Sequence, residues 1–161
     1  RWQSPLKSVV QEHGLFVDYL DMADKRMQHW MLPHPSDWVK DQENHHSVAN
    51  GYDIGIVASF GSFIPARIIE QFPLGMINVH PSLLPKYRGA APLQAALLNH
   101  DCQTGVTIQE LHKKTIDAGR ILLQAPVPIA PSMTLPQLLD ATSALGGDLV
   151  LQYLRDVPRY Q

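Results

Sequence analysis

From Gly51 onward the chain alternates short apolar runs with stretches of helical period, and this alternation narrows the available folds more than any other feature. DIGIVAS and GMINVH are short continuous apolar runs of the kind expected of strands covered on both faces. GVTIQEL and RILLQAPVPI read as two more strands. PARIIEQF and AAPLQAALLNH, which lie between them, read as helices with proline near their starts. LPQLLDATSALGGDLVLQYLRDV places leucines at 135, 138, 139, 145, 149 and 154, near helical spacing, with Gly146-Gly147 expected to bend or split the helix. Strands alternating with helices predict an α/β domain on a mostly parallel sheet, with ligands at the carboxyl ends of its strands. Ahead of this region, Pro5 to Gly14 reads as a short helix and LFVDYL as a short strand. Residues 21–50 are polar and irregular and read as a variable insertion with some helix.

Composition excludes several classes. Thirteen Lys plus Arg against fifteen Asp plus Glu give a net charge of -2, so the chain as a whole has no electrostatic grip on nucleic acid or an anionic membrane. A single cysteine, Cys102, rules out an intrachain disulfide and a cysteine-built zinc site, and fits a reducing compartment. No apolar run approaches the roughly 18 residues of a membrane span. Arg1-Trp2-Gln3 is neither an initiator methionine nor a targeting peptide, so the sequence reads as a fragment lacking its true N-terminus.

The segment richest in chemistry is INVHPSLLPKYRGAAP, from Ile77 to Pro92. Asn78 and His80 sit two apart at a strand end, so their side chains project to one face about 7 Å apart along the strand. Pro81 stops the strand there, Pro85 stiffens the following loop, and Gly89 lets the backbone turn into the next helix. Taken alone, the pair is weak evidence, since strand ends often carry hydrogen-bonded polar residues. Asp117 in the next inter-strand loop adds a carboxylate, which parallel strands would bring to the same end of the sheet. An amide, an imidazole and a carboxylate make an acyl-transfer set of oxyanion donors and a proton acceptor. No nucleophile completes it. Cys102 lies at the far end of the helix and reads as a small buried residue, and Ser82 lacks a G-x-S-x-G elbow. Such a set points to direct attack by an amine substrate on an activated acyl donor.

NVHPSLLPKYRGAAP, then TGVTIQEL, then IDAGRILLQ resemble the formyltransferase-domain family that uses 10-formyltetrahydrofolate. Within that family, RGAAP and SPLK are similar to the branch acting on methionyl-tRNA. An extra residue between Gly105 and Asp117, the basic Lys113-Lys114 and the wording VASFG resemble its mitochondrial type. The resemblance runs from about Ser4 to Leu154, and residues 21–50 are its least family-like part. It implies a Rossmann-like catalytic domain over residues 1–157 with helices on both faces of the sheet. It also implies an N-terminal strand ahead of Arg1 and a C-terminal tRNA-binding barrel, both absent from this sequence.

What the resemblance implies for function is specific. Asn78, His80 and Asp117 would be catalytic: Asn78 and protonated His80 would hold the oxyanion, while Asp117 would pair with His80 and help take the amine proton through water. 10-formyltetrahydrofolate, as formyl donor, would lie against Ser59, Phe60, Gly61, Ile64, Pro65, Ser82, Leu83, Leu84, Pro85, Leu111 and Ile116. Lys86, Arg88, Lys113 and Lys114 would form a local basic rim for the acceptor end of initiator methionyl-tRNA, against the bland alternative of solvated loop charges. The enzyme would be a monomer in the mitochondrial matrix, with no membrane association and no metal. Other amine acceptors (glycinamide ribonucleotide or a nucleotide sugar), hydrolysis to formate, and non-catalytic folate binding stay open. His29, His34, His45 and His46 read as solvated histidines rather than metal ligands. Tyr87 reads equally as a stacking platform for a base or as a packed ring.

Overall fold

The computed structural model describes residues 5–15, 27, 30–33 and 51–160. The chain divides into two compact units, residues 1–52 and 53–161. The first contributes helix α1, Pro5–Glu12, which ends just ahead of Gly14 at φ 63°. The strand expected over 15–20 and the insertion over 21–50 lie almost wholly outside the described residues.

The second unit holds the alternating pattern. Its elements are β1 (Gly55–Ala58), α2 (Ala66–Ile69), β2 (Met76–His80), α3 (Pro92–Leu98), β3 (Gln103–Glu110), β4 (Ile121–Pro128), α4 (Leu135–Arg155) and α5 (Val157–Tyr160). Four strands form one sheet in the order β1-β2-β3-β4. All four appear where the apolar runs place them, and the unit is an α/β domain. Its sheet, however, is mixed rather than mostly parallel: β1 and β2 run parallel, while β2 with β3 and β3 with β4 run antiparallel. Residue pattern encodes which positions are buried but not the direction in which a strand enters the sheet, so this expectation rested on the alternation alone.

Strand periodicity divides the sheet into two chemically distinct faces. Ile77, Val106 and Ile108 point to one face and bury against Leu149 and Tyr153 of α4. Leu93 of α3, Val127 and Leu138 extend the same core. The opposite face carries Asn78, His80, Thr107, Gln109 and Gln124, and the register sets Asn78 opposite Gln109, His80 opposite Thr107, and Thr107 opposite Gln124. Among the described residues, the loop segments 82–89 and 111–117 meet that face.

Helix α4 runs unbroken over 21 residues. Its start is a capping box: Thr134 N–H donates to Gln137 Oε1 at 2.9 Å, and Pro136 occupies the first turn. Gly146-Gly147 does not split it. Gly146 is buried and lets the helix approach the sheet, because a Cβ there would stand 3.0 Å from Val79 Cγ1; at Gly147 nothing lies within 4 Å. Gly147→Ala is therefore expected to raise the unfolding free energy by about 0.5–1 kcal/mol, the helix-propensity difference. Gly146→Ala is expected to forfeit that gain against Val79. Urea unfolding of the two variants should rank 147 above 146, and equal stabilisation would refute the packing argument.

Candidate active site

The site begins where β2 stops. Asn78 and His80 project from the polar face of the sheet, and Pro81 ends the strand directly after them. The His80 side chain is only 5% exposed. Both of its nitrogens face acceptors: Nε2 lies 2.9 Å from the Tyr87 carbonyl and Nδ1 3.5 Å from Asp117 Oδ2. The doubly protonated ring satisfies both contacts, and a neutral ring satisfies one.

Asp117 reaches this place by a route other than the expected one. Because β3 is antiparallel to β2, the loop after β3 leaves from the end of the sheet where β2 starts, and Leu111 N–H donates to Met76 O at 2.7 Å. The loop then folds back across the polar face. There the Asp117 carboxylate, 7% exposed, gathers donors from three other segments. Oδ1 accepts from Asn78 Nδ2 at 3.2 Å and from Gln109 Nε2 at 2.7 Å. Oδ2 accepts from the Gly89 N–H at 2.7 Å and faces His80. Gly89 stands at φ 83°, a left-handed conformation that glycine adopts without a Cβ penalty, and its amide is thereby aimed at the carboxylate. A β-bulge between Ile108 and Gln109 adjusts the strand beside the site.

Thr107 is the footing of the covering loop. Its hydroxyl is fully buried, donates to Ser82 O at 2.6 Å, and accepts from Leu84 N–H at 3.1 Å and Gln124 Nε2 at 2.7 Å. Gln124 Nε2 also lies 3.0 Å from Leu84 O. Ser82 Oγ donates to Lys86 O at 2.6 Å, so this serine is a structural tie.

These elements wall a cavity of about 540 Å³, within the usual range for small-molecule sites. Asn78, His80 and Asp117 share its wall with Gln109. Of the residues expected against the folate, Ser59, Phe60, Gly61, Ile64, Leu111 and Ile116 line it. Pro65, Ser82, Leu83, Leu84 and Pro85 do not; Ser82 and Leu84 instead anchor the loop behind it. Phe60, Phe63 and Ile116 are exposed, giving the cavity an apolar mouth.

The basic residues do not form one free rim. Lys86 pairs with Asp101 at 2.7 Å, Lys113 with Glu70 at 2.8 Å and Arg120 with Glu110 at 2.6 Å. Among the described residues, Arg88 and the Lys114 side chain have no ion-pair partner. Cys102 is exposed, not buried as expected, because the chain turns at the surface between α3 and β3. Among the described residues, no group of three His, Cys, Asp or Glu could hold a metal ion, and no helix is long and apolar enough to cross a membrane. The four histidines at 29–46 lie outside the described residues.

Sequence reasoning missed Gln109, Thr107 and the Tyr87 carbonyl. The first two carry a readable signal, since they are polar residues two apart on one face of a strand whose other positions, Val106 and Ile108, are apolar. The carbonyl carries none.

The family profile described as formyl transferase matches residues 12–154. Human mitochondrial methionyl-tRNA formyltransferase is 43% identical over 107 residues, covering 66% of this chain and 28% of that protein. The methionyl-tRNA formyltransferase of Syntrophus aciditrophicus is 45% identical over 109 residues, covering 68% and 35%. The chain thus spans about a third of these curated relatives. Among solved structures, glycinamide ribonucleotide transformylase 1 from Symbiobacterium toebii superimposes with a TM-score of 0.60 at 27% identity, over 64% of this chain and 48% of that one.

Replacing Thr107 by valine keeps its shape and removes the hydroxyl that satisfies Ser82 O and Leu84 N–H. Thr107→Val is expected to lower the unfolding free energy by about 1–3 kcal/mol, the cost of buried polar groups left unpaired. Urea denaturation checks this, and a change within about 0.5 kcal/mol would show that the loop does not depend on this footing.

Proposed function

The chain belongs to the formyl transferase family, and from that premise we propose that it transfers the formyl group of 10-formyltetrahydrofolate to the α-amino group of initiator methionyl-tRNA. The observation that carries the proposal is the convergence of Asn78, His80 and Asp117 on one cavity wall with no hydroxyl or thiol hydrogen-bonded to the imidazole among the described residues. His80 Nε2 lies on the Tyr87 carbonyl, Nδ1 faces the Asp117 carboxylate and not a hydroxyl, and the Ser82 hydroxyl is committed to Lys86 O. The Ser-His pairing of a covalent mechanism is therefore not made, and direct amine attack is the chemistry that fits.

In this reading the amine nitrogen bonds to the formyl carbon and the carbonyl oxygen becomes a tetrahedral oxyanion. Asn78 Nδ2 carries two hydrogens; one goes to Asp117, and the second serves the oxyanion. His80 Nε2–H is held by Tyr87 O, while Nδ1–H, at a distance of 3.5 Å long for a hydrogen bond to Asp117, serves as the second donor. Each such donor is worth on the order of 10²–10³ in rate. The carbon–N10 bond then breaks, the amine gives up a proton through water toward Asp117, and N10 regains one as tetrahydrofolate leaves. Ser59, Phe60, Gly61, Ile64, Leu111 and Ile116 would hold the folate, with Pro65 and the 82–85 segment supporting the wall.

The acceptor assignment rests on the methionyl-tRNA formyltransferases among the relatives. Arg88 and Lys114 would carry the contact to the acceptor end, since Lys86 and Lys113 already bind carboxylates. The four mammalian relatives are named as mitochondrial, which supports a mitochondrial enzyme, although bacterial relatives match at similar identity.

One assay on the full-length protein tests the reading: consumption of 10-formyltetrahydrofolate with methionyl-tRNA, with glycinamide ribonucleotide, and with water alone. Turnover is expected with methionyl-tRNA only, and formate release in water would reassign the protein as a hydrolase. Asn78→Ala and His80→Ala are each expected to lower formyl transfer on the order of 10²-fold or more while folate binding stays within a few-fold. Wild-type turnover in either variant would remove the assignment of these residues.

A further inference from the structure

The loop between β2 and α3 contains one residue held from both ends, Tyr87. Its backbone is left-handed at φ 56°, a conformation that a bulky aromatic adopts only where its surroundings dictate it. The surroundings do so here. The Tyr87 carbonyl accepts from His80 Nε2 at 2.9 Å. Its hydroxyl donates to Asp101 Oδ2 at 2.8 Å and accepts from Asn99 Nδ2 at 2.9 Å. The same Asp101 oxygen takes the Lys86 ammonium at 2.7 Å, and that ammonium stands 4.9 Å from the centre of the Tyr87 ring. On the backbone side, Ser82 Oγ and the Leu83 carbonyl hold Lys86 at 2.6 and 3.0 Å. Asn99 and Asp101 belong to the turn between α3 and β3, and neither they nor Tyr87 line the cavity.

We infer that Tyr87 is a positioning residue for His80: Asn99 and Asp101 fix its hydroxyl, its left-handed backbone then sets its carbonyl, and the carbonyl sets the imidazole. A carbonyl on one ring nitrogen fixes a proton there and decides which nitrogen is left to face the reaction. With Nε2–H committed to Tyr87, Nδ1 is the nitrogen turned toward Asp117. The clamp is ionic at neutral pH. Hydrogen bonds from Lys86 and then Tyr87 hold the Asp101 carboxyl below its ordinary value, and the bond to Asp101 raises Lys86 above its own. Lys86 and Tyr87 thus have a task other than touching nucleic acid.

The kinetic consequence rests on the formyl-transfer reading, whereas the geometric one does not, and two measurements on the full-length protein separate them. Tyr87→Phe keeps the ring and removes the hydroxyl. It is expected to lower kcat on the order of tenfold with KM for both substrates within about twofold, because a displaced imidazole weakens the transition state and not substrate binding. Asp101→Ala should match it, and Asp101→Asn, which still accepts from the hydroxyl, should recover most of the rate. In ¹⁵N-labelled protein the His80 Nε2 proton is expected to be protected from exchange, and to lose that protection in Tyr87→Phe. Unchanged kcat, or a fall in kcat with an unchanged His80 signal, overturns the inference. Should the wild-type protein fail to formylate methionyl-tRNA, the functional reading falls and the His80 signal alone decides the positioning role.

Discussion

A nearly buried carboxylate cannot be left without donors, and the arrangement around Asp117 follows from that constraint. Four groups meet it: the Asn78 amide from β2, the Gln109 amide from β3, the Gly89 N–H from the loop ahead of α3, and the His80 ring. Each comes from a segment with its own reason to be there, but only the carboxylate draws them to one point. Removing it would leave the Gly89 amide and two side-chain amides, all bonded to a carboxylate only 7% exposed, in need of other acceptors. The same contacts that orient the reactive groups therefore close the covering loops onto the sheet. Gln109 Oε1, buried beside the carboxylate, has no hydrogen-bond partner among the described residues.

Strand periodicity lets stability and chemistry occupy one sheet without competing. Ile77 and Ile108 face the helical core, while their neighbours Asn78, Thr107 and Gln109 face the loops. A change on the α4 side alters packing, and a change on the other side alters polar satisfaction. The polar face needs loops over it because only loops bring backbone N–H and C=O groups that are not already committed to a helix. Leu84 N–H, Ser82 O and Tyr87 O are such groups and each meets a side chain from the sheet, while Gly89 N–H meets Asp117 of the loop folded across it.

The sequence made the elements legible from Gly51 onward, because apolar runs and helical spacing report burial directly. It also made Asn78 and His80 legible as a pair, since two residues apart on a strand is a geometric statement. Asp117 was found by a faulty route: the two loops were expected to open at the same end of a parallel sheet, and β3 runs the other way. The pairing survives because the loop after β3 returns across the polar face and Gln109 secures it there. The connection from β2 to β3 is long enough for either sense, so composition does not betray that direction, whereas the one from β3 to β4 is short for a parallel crossover. Nor does any residue pattern reveal that a tyrosine will act through its carbonyl, or that Pro85 and Leu83 will stand behind a wall and not in it.

The charge balance takes on a different meaning once the pairs are located. A net charge of -2 argues against broad adhesion to nucleic acid, and the local rim expected to compensate is thinner than its residue count implies. Lys86, Lys113 and Arg120 are each held by a carboxylate at 2.6–2.8 Å. Two of these pairs brace loops beside the cavity: Lys86 through Asp101, and Arg120 where the Asp117 loop rejoins the sheet at Glu110. A lysine or arginine pledged to such a brace meets a phosphate only by surrendering its carboxylate, so it adds little net attraction. Of the expected rim, Arg88 and Lys114 keep side chains that no carboxylate holds among the described residues. What the sheet contributes is the placement of one amide, one imidazole and one carboxylate around a cavity of small-molecule size.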